Sequence, residues 1–169
     1  MRRILDSIYT GAAWLAALAM IGVLVWVLLS IATRQLGINL PGTDAYAGYS
    51  MAAAGFLALA HTLKCNEHIR VTLLLGRLKG KAEHALQLWA LSVAVLLAGL
   101  FAYYSVRLAW QSHVINDVST GTDATPLWIP QIAMAIGMVV LLIALVDEWV
   151  LQLRGKRREA MPEEALHNE

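Results

Sequence analysis

Cysteine and charge are both scarce in this sequence of 169 residues. The only cysteine, Cys65, excludes an intrachain disulfide and any zinc or iron–sulfur site that needs several thiolates. Charged residues make up 15% of the chain and hydrophobic residues 59%, whereas about a quarter of a soluble domain is charged. This composition indicates a membrane protein. The net charge of +1 gives no basis for a general attraction to nucleic acid.

The sequence also lacks the usual motifs of catalysis and of ion transport. It contains no Walker loop, no GxGxxG and no nucleophile paired with a general base. Its long apolar segments contain no Asp, Glu, Lys or Arg, and Arg107, Asp147 and Glu148 only border them. Because the catalytic motifs are absent, we expect no enzyme. Because ion paths and proton relays use ionisable groups within the membrane, we also expect no autonomous pump. A small carrier or channel that works alone is one alternative, which solute flux through the isolated chain would favour.

Four apolar segments are present instead, each free of formal charge over 19 to 27 residues: 7–33, 45–63, 84–106 and 124–146. About 20 helical residues cross the hydrocarbon core of a bilayer. The sequence therefore predicts an all-α integral membrane protein with four transmembrane helices. We expect a transmembrane domain over residues 1–153 and a flexible, charged cytoplasmic tail over residues 154–169.

The basic residues predict the orientation of these helices. Eleven of the thirteen fall at the two termini or between the second and third segments, and only Arg34 and Arg107 fall on the other side. By the positive-inside rule, both termini and the loop at 64–81 are cytoplasmic. Residues 34–43 and 111–125 then form the outer loops, where Pro41, Gly42 and the run 119–122 favour tight turns.

Tryptophan and lysine positions predict where the chain meets the membrane surface. Aromatic belts and snorkelling cations mark that level. A short interfacial helix could follow the second span, where Arg70, Arg77 and Lys81 share a helical face. The predicted membrane-interface residues are Trp14, Lys64, Arg77, Lys81, Trp110, Trp128 and Trp149.

The second segment is the least lipid-like of the four. Gly48, Ala52 and Gly55 share one helical face, and Ser50 and Ala54 form a second pair of small residues. Small side chains allow helix backbones to approach closely in a membrane, where the hydrophobic effect does not drive association. The face could pack within this chain or against a partner protein, and one small face could serve each purpose.

Polar residues crowd where this segment ends, in LKCNEHIRVTLL at 63–74. His61, Cys65 and His68 would align on one face if the helix continued, which is a conceivable set of three metal ligands. His61 and His84 could instead be axial ligands of a haem, as in membrane anchors of oxidoreductases. Both ideas are weakened by the location of these histidines at helix ends, and the structural interpretation is preferred. We expect no cofactor and no metal.

Three stretches of the sequence resemble one family of membrane proteins. They are Asp44 at the start of the second span, ALAHTLKCNEHIRV at its end, and STGTDATPLWIPQIAMAIG leading into the fourth. EHIRV, at 67–71, is the most specific of these elements. Over nearly its whole length the chain resembles the small membrane subunit (Q, or DctQ-like) of tripartite ATP-independent periplasmic (TRAP) transporters.

The resemblance implies a role and a set of partners. It implies a non-catalytic scaffold in the bacterial inner membrane, paired with a large multi-spanning permease subunit that moves an organic acid by a sodium-driven elevator motion. A periplasmic binding protein would deliver the substrate. The polar cluster would be a junction pinned to membrane lipid and to the large subunit. The predicted partner-interface residues are Asp44, Gly48, Ala52, Gly55, Glu67, His68 and Arg70.

Overall fold

In a computed structural model, the described residues, which are 2–38, 40–64, 81–121 and 123–154, contain four helices. They are α1 (Arg2–Gln35), α2 (Thr43–Lys64), α3 (Lys81–Val114) and α4 (Trp128–Leu153). Within the described residues the only β-type pairing is an isolated bridge between Val118 and Pro126. The prediction of an all-α protein with four helices is confirmed. The suggested interfacial helix, with Arg70 and Arg77, lies outside the described residues.

Three of these helices are long and apolar enough to cross a membrane, over Ser7–Gln35, His84–Val114 and Trp128–Leu153. The helix α2 has 22 residues, which corresponds to about 33 Å at roughly 1.5 Å per residue. Its length is sufficient, but its tyrosine, serine and glycine residues make it less apolar than the other three. That α2 crosses the membrane, and that both termini are cytoplasmic, therefore remain predictions.

The bounds of the helices differ from those of the charge-free segments of the sequence. The third segment ends at residue 106, but α3 continues through Arg107 to Val114 because that stretch contains no glycine or proline. The fourth segment begins at residue 124, but α4 begins at Trp128. Residues before it belong to a hairpin-like loop, in which the Ser119 N–H donates to the Thr125 carbonyl at 2.8 Å.

Left-handed residues end two of the helices. Gly37, with φ of 70°, follows α1, and the Ile38 N–H donates to the Thr33 carbonyl at 2.9 Å. Asn116, with φ of 51°, follows α3, and the Asp117 N–H donates to the Ser112 carbonyl at 2.9 Å. Both are Schellman caps, which turn the chain sharply and satisfy helix-end carbonyls. The connections cover residues 36–42 and 115–127, and the predicted turn residues Pro41, Gly42 and 119–122 fall within them.

The helices form a row in the order α1–α2–α4–α3. The helix α1 packs against α2, α2 against α4, and α4 against α3, with a small additional contact between α1 and α4. The turns α1–α2 and α3–α4 lie together at one end of the row, which we call the turn end. At the opposite end, a buried cluster joins three helices through Tyr9, Ala12, Ala60, Val140 and Ala144.

The two central helices, α2 and α4, approach very closely at Gly137. A Cβ atom at this position would lie 2.5 Å from the Phe56 carbonyl oxygen and 2.6 Å from its carbon. The Phe56 ring also stacks on Phe101 of α3, with ring centroids 6.1 Å apart. The absence of a side chain at residue 137 is therefore a condition for the observed packing of α2 on α4.

Candidate partner interface

One face of α2 is uncovered over the first half of the helix, from Asp44 to Gly55. Within residues 43–63, the part of α2 whose side chains are described, five residues are exposed. They recur at helical spacing. Because α1 and α4 flank α2, these residues form a strip along the row between two neighbouring helices. We call this strip the α2 face, and it consists of Asp44, Gly48, Met51, Ala52 and Gly55.

The two sets of small residues on α2 differ in whether the described chain packs against them. A Cβ atom added at Gly48 or at Gly55 would meet no atom within 4 Å, so nothing in the described chain packs there. Ala54 is buried, and the Ser50 hydroxyl lies 3.4 Å from the position of a Cβ on Gly22 of α1. The internal packing of α2 thus uses Ser50 and Ala54. The Gly48, Ala52 and Gly55 face is left uncovered by the described residues.

Small residues on an outer face of a membrane protein indicate a site where another helix can pack closely. Lipid imposes no need for small side chains, whereas a tightly packed neighbouring helix does. The larger Met51, 67% exposed, lies among them, and its flexible thioether adapts well to a partner surface. The α2 face is therefore suited to close contact with another transmembrane helix.

Asp44 lies at the turn end of this face. The Ser30 hydroxyl of α1 donates a hydrogen bond to the Asp44 carboxylate at 3.1 Å, which ties α1 to the first turn of α2. The other three predicted interface residues, Glu67, His68 and Arg70, lie outside the described residues. The structure therefore brings together four of the seven predicted interface residues and adds Met51.

The predicted membrane-interface tryptophans differ in their surroundings. Trp14 and Trp110 are exposed, at 67% and 71%. Trp128 contacts His113 edge to face, with ring centroids 5.3 Å apart. The Trp149 indole N–H donates to the Ser92 hydroxyl at 2.9 Å, so it links α4 to α3. The side chains of the three predicted cations, Lys64, Arg77 and Lys81, are not among those described.

The two histidines considered as haem ligands belong to helices that α4 separates. His61 is on α2, His84 is on α3, and α4 packs against both helices. The His84 Nδ1 atom lies 3.1 Å from the Gln152 amide nitrogen of α4, which places His84 in the α3–α4 contact. The haem interpretation thus gains no support. Within residues 2–38, 40–64, 81–121 and 123–154 no group of three metal-ligating side chains occurs, and Cys65 and His68 lie outside them.

A hydrogen-bonded cluster at the turn end was not predicted from the sequence. The Asp123 carboxylate accepts hydrogen bonds from the Ser119 hydroxyl at 2.8 Å and from the Tyr49 hydroxyl at 3.0 Å. The Thr125 hydroxyl donates to the Tyr46 oxygen at 3.3 Å, and the Tyr46 ring stacks on Trp26 at 4.9 Å between centroids. The cluster fastens the α3–α4 loop onto α2.

Gly42 completes this contact. Its φ of 86° is in the left-handed region, and a Cβ atom there would lie 2.7 Å from the Asp123 Cβ. Glycine therefore meets both the backbone and the space requirement. Hydrogen bonds from Ser119 and Tyr49 lower the pKa of Asp123 to about 2 because they favour the ionised carboxylate, and partial burial opposes them.

Removal of the Asp123 carboxylate should loosen the loop without unfolding the helices. For Asp123→Ala we expect faster amide hydrogen exchange at Ser119 and Leu127, whose N–H groups bond within the loop. The pKa is lowered on folding, so the stabilisation is present above about pH 4 and is lost between about pH 4 and pH 2 as the carboxylate is protonated. Exchange in the variant should lack this pH dependence. Asp117→Asn is the matched control, and equal exchange in the two variants would contradict the assignment.

Comparison with known protein families agrees with these features. The family model described as "Tripartite ATP-independent periplasmic transporters, DctQ component" matches residues 23–155, which is more than half of the chain. A search of individually curated proteins gives no match. The resemblance noted in the sequence is confirmed, and three apolar helices agree with a membrane component of such a transporter. The chain belongs to the DctQ component family of the tripartite ATP-independent periplasmic transporters.

Proposed function

We propose that this chain is the non-catalytic scaffold subunit of a TRAP transporter, held against the large permease subunit by the α2 face. The observation that carries the proposal is the exposed strip of Gly48, Ala52 and Gly55 on a helix whose other small residues are already packed. Such a strip is typical of a contact between transmembrane helices. Membership of the family implies a large permease subunit as the partner, and we propose that one of its transmembrane helices packs on this strip.

The proposed topology has four spans in the bacterial inner membrane, with both termini cytoplasmic. The distribution of basic residues supports this orientation, which makes the turn end periplasmic. The lower apolar content of α2 is compatible with a span because α1 and α4 shield two of its sides from lipid. A partner on the α2 face would shield a third.

The mechanical role follows from the shape of the row and from its lack of charge. A row of four helices presents broader sides than a closed bundle does, and it can extend the static frame of a partner. An elevator-type transporter needs such a frame, because its moving domain must slide against something fixed in the membrane. The four charge-free segments offer an ion no Asp or Glu carboxylate as a ligand. We therefore assign sodium coupling and organic-acid binding to the large subunit.

The polar residues after α2 would reinforce the attachment. We propose that Glu67, His68 and Arg70 form a hydrogen-bonded junction at the cytoplasmic surface, in contact with lipid headgroups and with the large subunit. Nearby Lys64, Arg77 and Lys81 would be attracted to anionic lipid. The periplasmic binding protein would deliver the substrate to the opposite, turn end of the complex.

Reconstitution into proteoliposomes tests the assignment. With the chain alone we expect no organic-acid uptake above that of empty liposomes, because its four apolar segments carry no charged residue to bind an acid or a coupling ion. With the large subunit and the binding protein added, we expect uptake that depends on an inward sodium gradient, and its loss when the chain is omitted. Uptake by the chain alone, or full uptake without it, would contradict the scaffold role.

A further inference from the structure

A cleft of about 550 Å³ opens at the turn end, between the last turn of α1 and the first turn of α2. Its volume is within the range of about 300–1,000 Å³ that is common for small-ligand sites. A second recess of about 380 Å³ adjoins it on the α1 side. The two share Ser30, Arg34 and Asp44, so one cation and one anion line both spaces.

Arg34 and Asp44, the two charged residues that line both spaces, form no ion pair with each other in the described part of the chain. The Asp44 carboxylate accepts a hydrogen bond from Ser30. The Arg34 side chain is exposed, and among the described residues it makes no hydrogen bond and no ion pair. The Thr33 hydroxyl bonds back to the carbonyl of Leu29 and so does not compete for a ligand. The guanidinium is therefore available, and it is the group best suited to bidentate contact with a phosphate.

Two residues that line the recess, Val27 and Ile31, are apolar. Val27, Ser30, Ile31 and Arg34 recur at the spacing of one helical face, and Val27 and Ile31 lie on the membrane side of Arg34. Both apolar side chains are exposed. A ligand whose phosphate contacts Arg34 could thus lay a hydrocarbon chain along α1. This combination favours an amphiphile over a purely polar solute.

We propose that this cleft binds the zwitterionic headgroup of phosphatidylethanolamine, with the lipid phosphate on Arg34 and the ammonium on Asp44. The opposite charges of the headgroup are a few bonds apart and match one cation and one anion in a single cleft. Asp123 also lines the larger cleft and adds a second carboxylate there. A lipid without an ammonium, such as phosphatidylglycerol, would leave the Asp44 carboxylate without a counter-charge and would bind more weakly.

The test uses the full chain purified in detergent and native mass spectrometry with phosphatidylethanolamine or phosphatidylglycerol of equal acyl chains. We expect the wild-type chain to retain phosphatidylethanolamine in preference. Arg34→Gln should lower that retention about tenfold through loss of the charged phosphate contact. Asp44→Asn should remove the preference for phosphatidylethanolamine and keep some phosphate binding. Arg107→Gln, which removes the other arginine of the turn end, should change neither result.

Several outcomes would overturn the proposal. Equal retention of both lipids by the wild-type chain would do so, as would unchanged retention by Arg34→Gln. Effective competition by water-soluble glycerophosphoethanolamine would assign the cleft to a soluble ligand and not to a lipid. If Arg34→Gln does not give folded protein by size-exclusion chromatography, Arg34→Lys replaces it. Lysine keeps the charge but not the bidentate geometry, so retention should still fall, and unchanged retention would contradict the site.

Discussion

Replacement of Gly137 by alanine should destabilise the chain, although alanine is the better helix former. The added Cβ would lie 2.5 Å from the Phe56 carbonyl oxygen, which is a backbone atom and cannot move away by a rotamer change. The helices α2 and α4 must then separate, and the stack of Phe56 on Phe101 is disturbed. Overpacking of this kind costs about 1–3 kcal/mol. A Gly137→Leu variant should lose more.

Gly99→Ala is the matched control for this prediction. Gly99 also lies in a helix that is long and apolar enough to cross a membrane, but a Cβ there would meet only the Leu142 Cδ1 atom at 3.8 Å, an ordinary contact. Without a clash, the higher helix propensity of alanine should stabilise this variant by about 0.5–1 kcal/mol. The measurement is the apparent melting temperature in detergent, followed by tryptophan fluorescence. If Gly137→Ala melts no lower than Gly99→Ala, the close approach of α2 and α4 is wrong.

Local patterns in the sequence were sufficient to predict the helices and the faces of small residues. Charge-free segments predicted four helices, and helical spacing placed Gly48, Ala52 and Gly55 together. The spacing could not decide which small face points outward, because that depends on where α1 and α4 cross α2. Met51 was missed because its size does not fit a search for small residues, although it lies on the same face.

Contacts between distant parts of the chain had no such local signal. Tyr49 and Asp123 are 74 residues apart, and Trp149 and Ser92 are 57 apart. The placement of α4 between α2 and α3 is also set by packing, since each helix is amphipathic only weakly and would accept several neighbours. The idea that His61 and His84 face each other rested on adjacency in the sequence, and the row order removes that basis.

Leucine at both Gly48 and Gly55 should detach the chain from the large permease subunit and leave its own fold intact. A Cβ at either position meets nothing within 4 Å, so the isolated chain can accommodate the larger side chains. A partner helix packed closely on the α2 face cannot, because four carbons at each site would hold the two backbones apart. A loss of only about 1.4 kcal/mol in association would lower binding tenfold, and we expect at least that.

Gly11→Leu provides the control that separates loss of the interface from a general effect of leucine. Gly11 lies on α1, a Cβ there also meets nothing within 4 Å, and it is not part of the α2 face. All variants should match the wild-type chain in expression and in melting temperature. A drop in melting temperature confined to the double variant would mean that the α2 face packs within the chain.

The most direct measurement is the amount of large subunit that co-purifies with each tagged variant from membranes in which both chains are expressed. We expect Gly11→Leu to retain as much large subunit as the wild-type chain does, and the Gly48→Leu, Gly55→Leu double variant to retain a tenth or less, as about 1.4 kcal/mol or more of lost association requires. Equal recovery with both variants would contradict the proposal that the α2 face holds the permease.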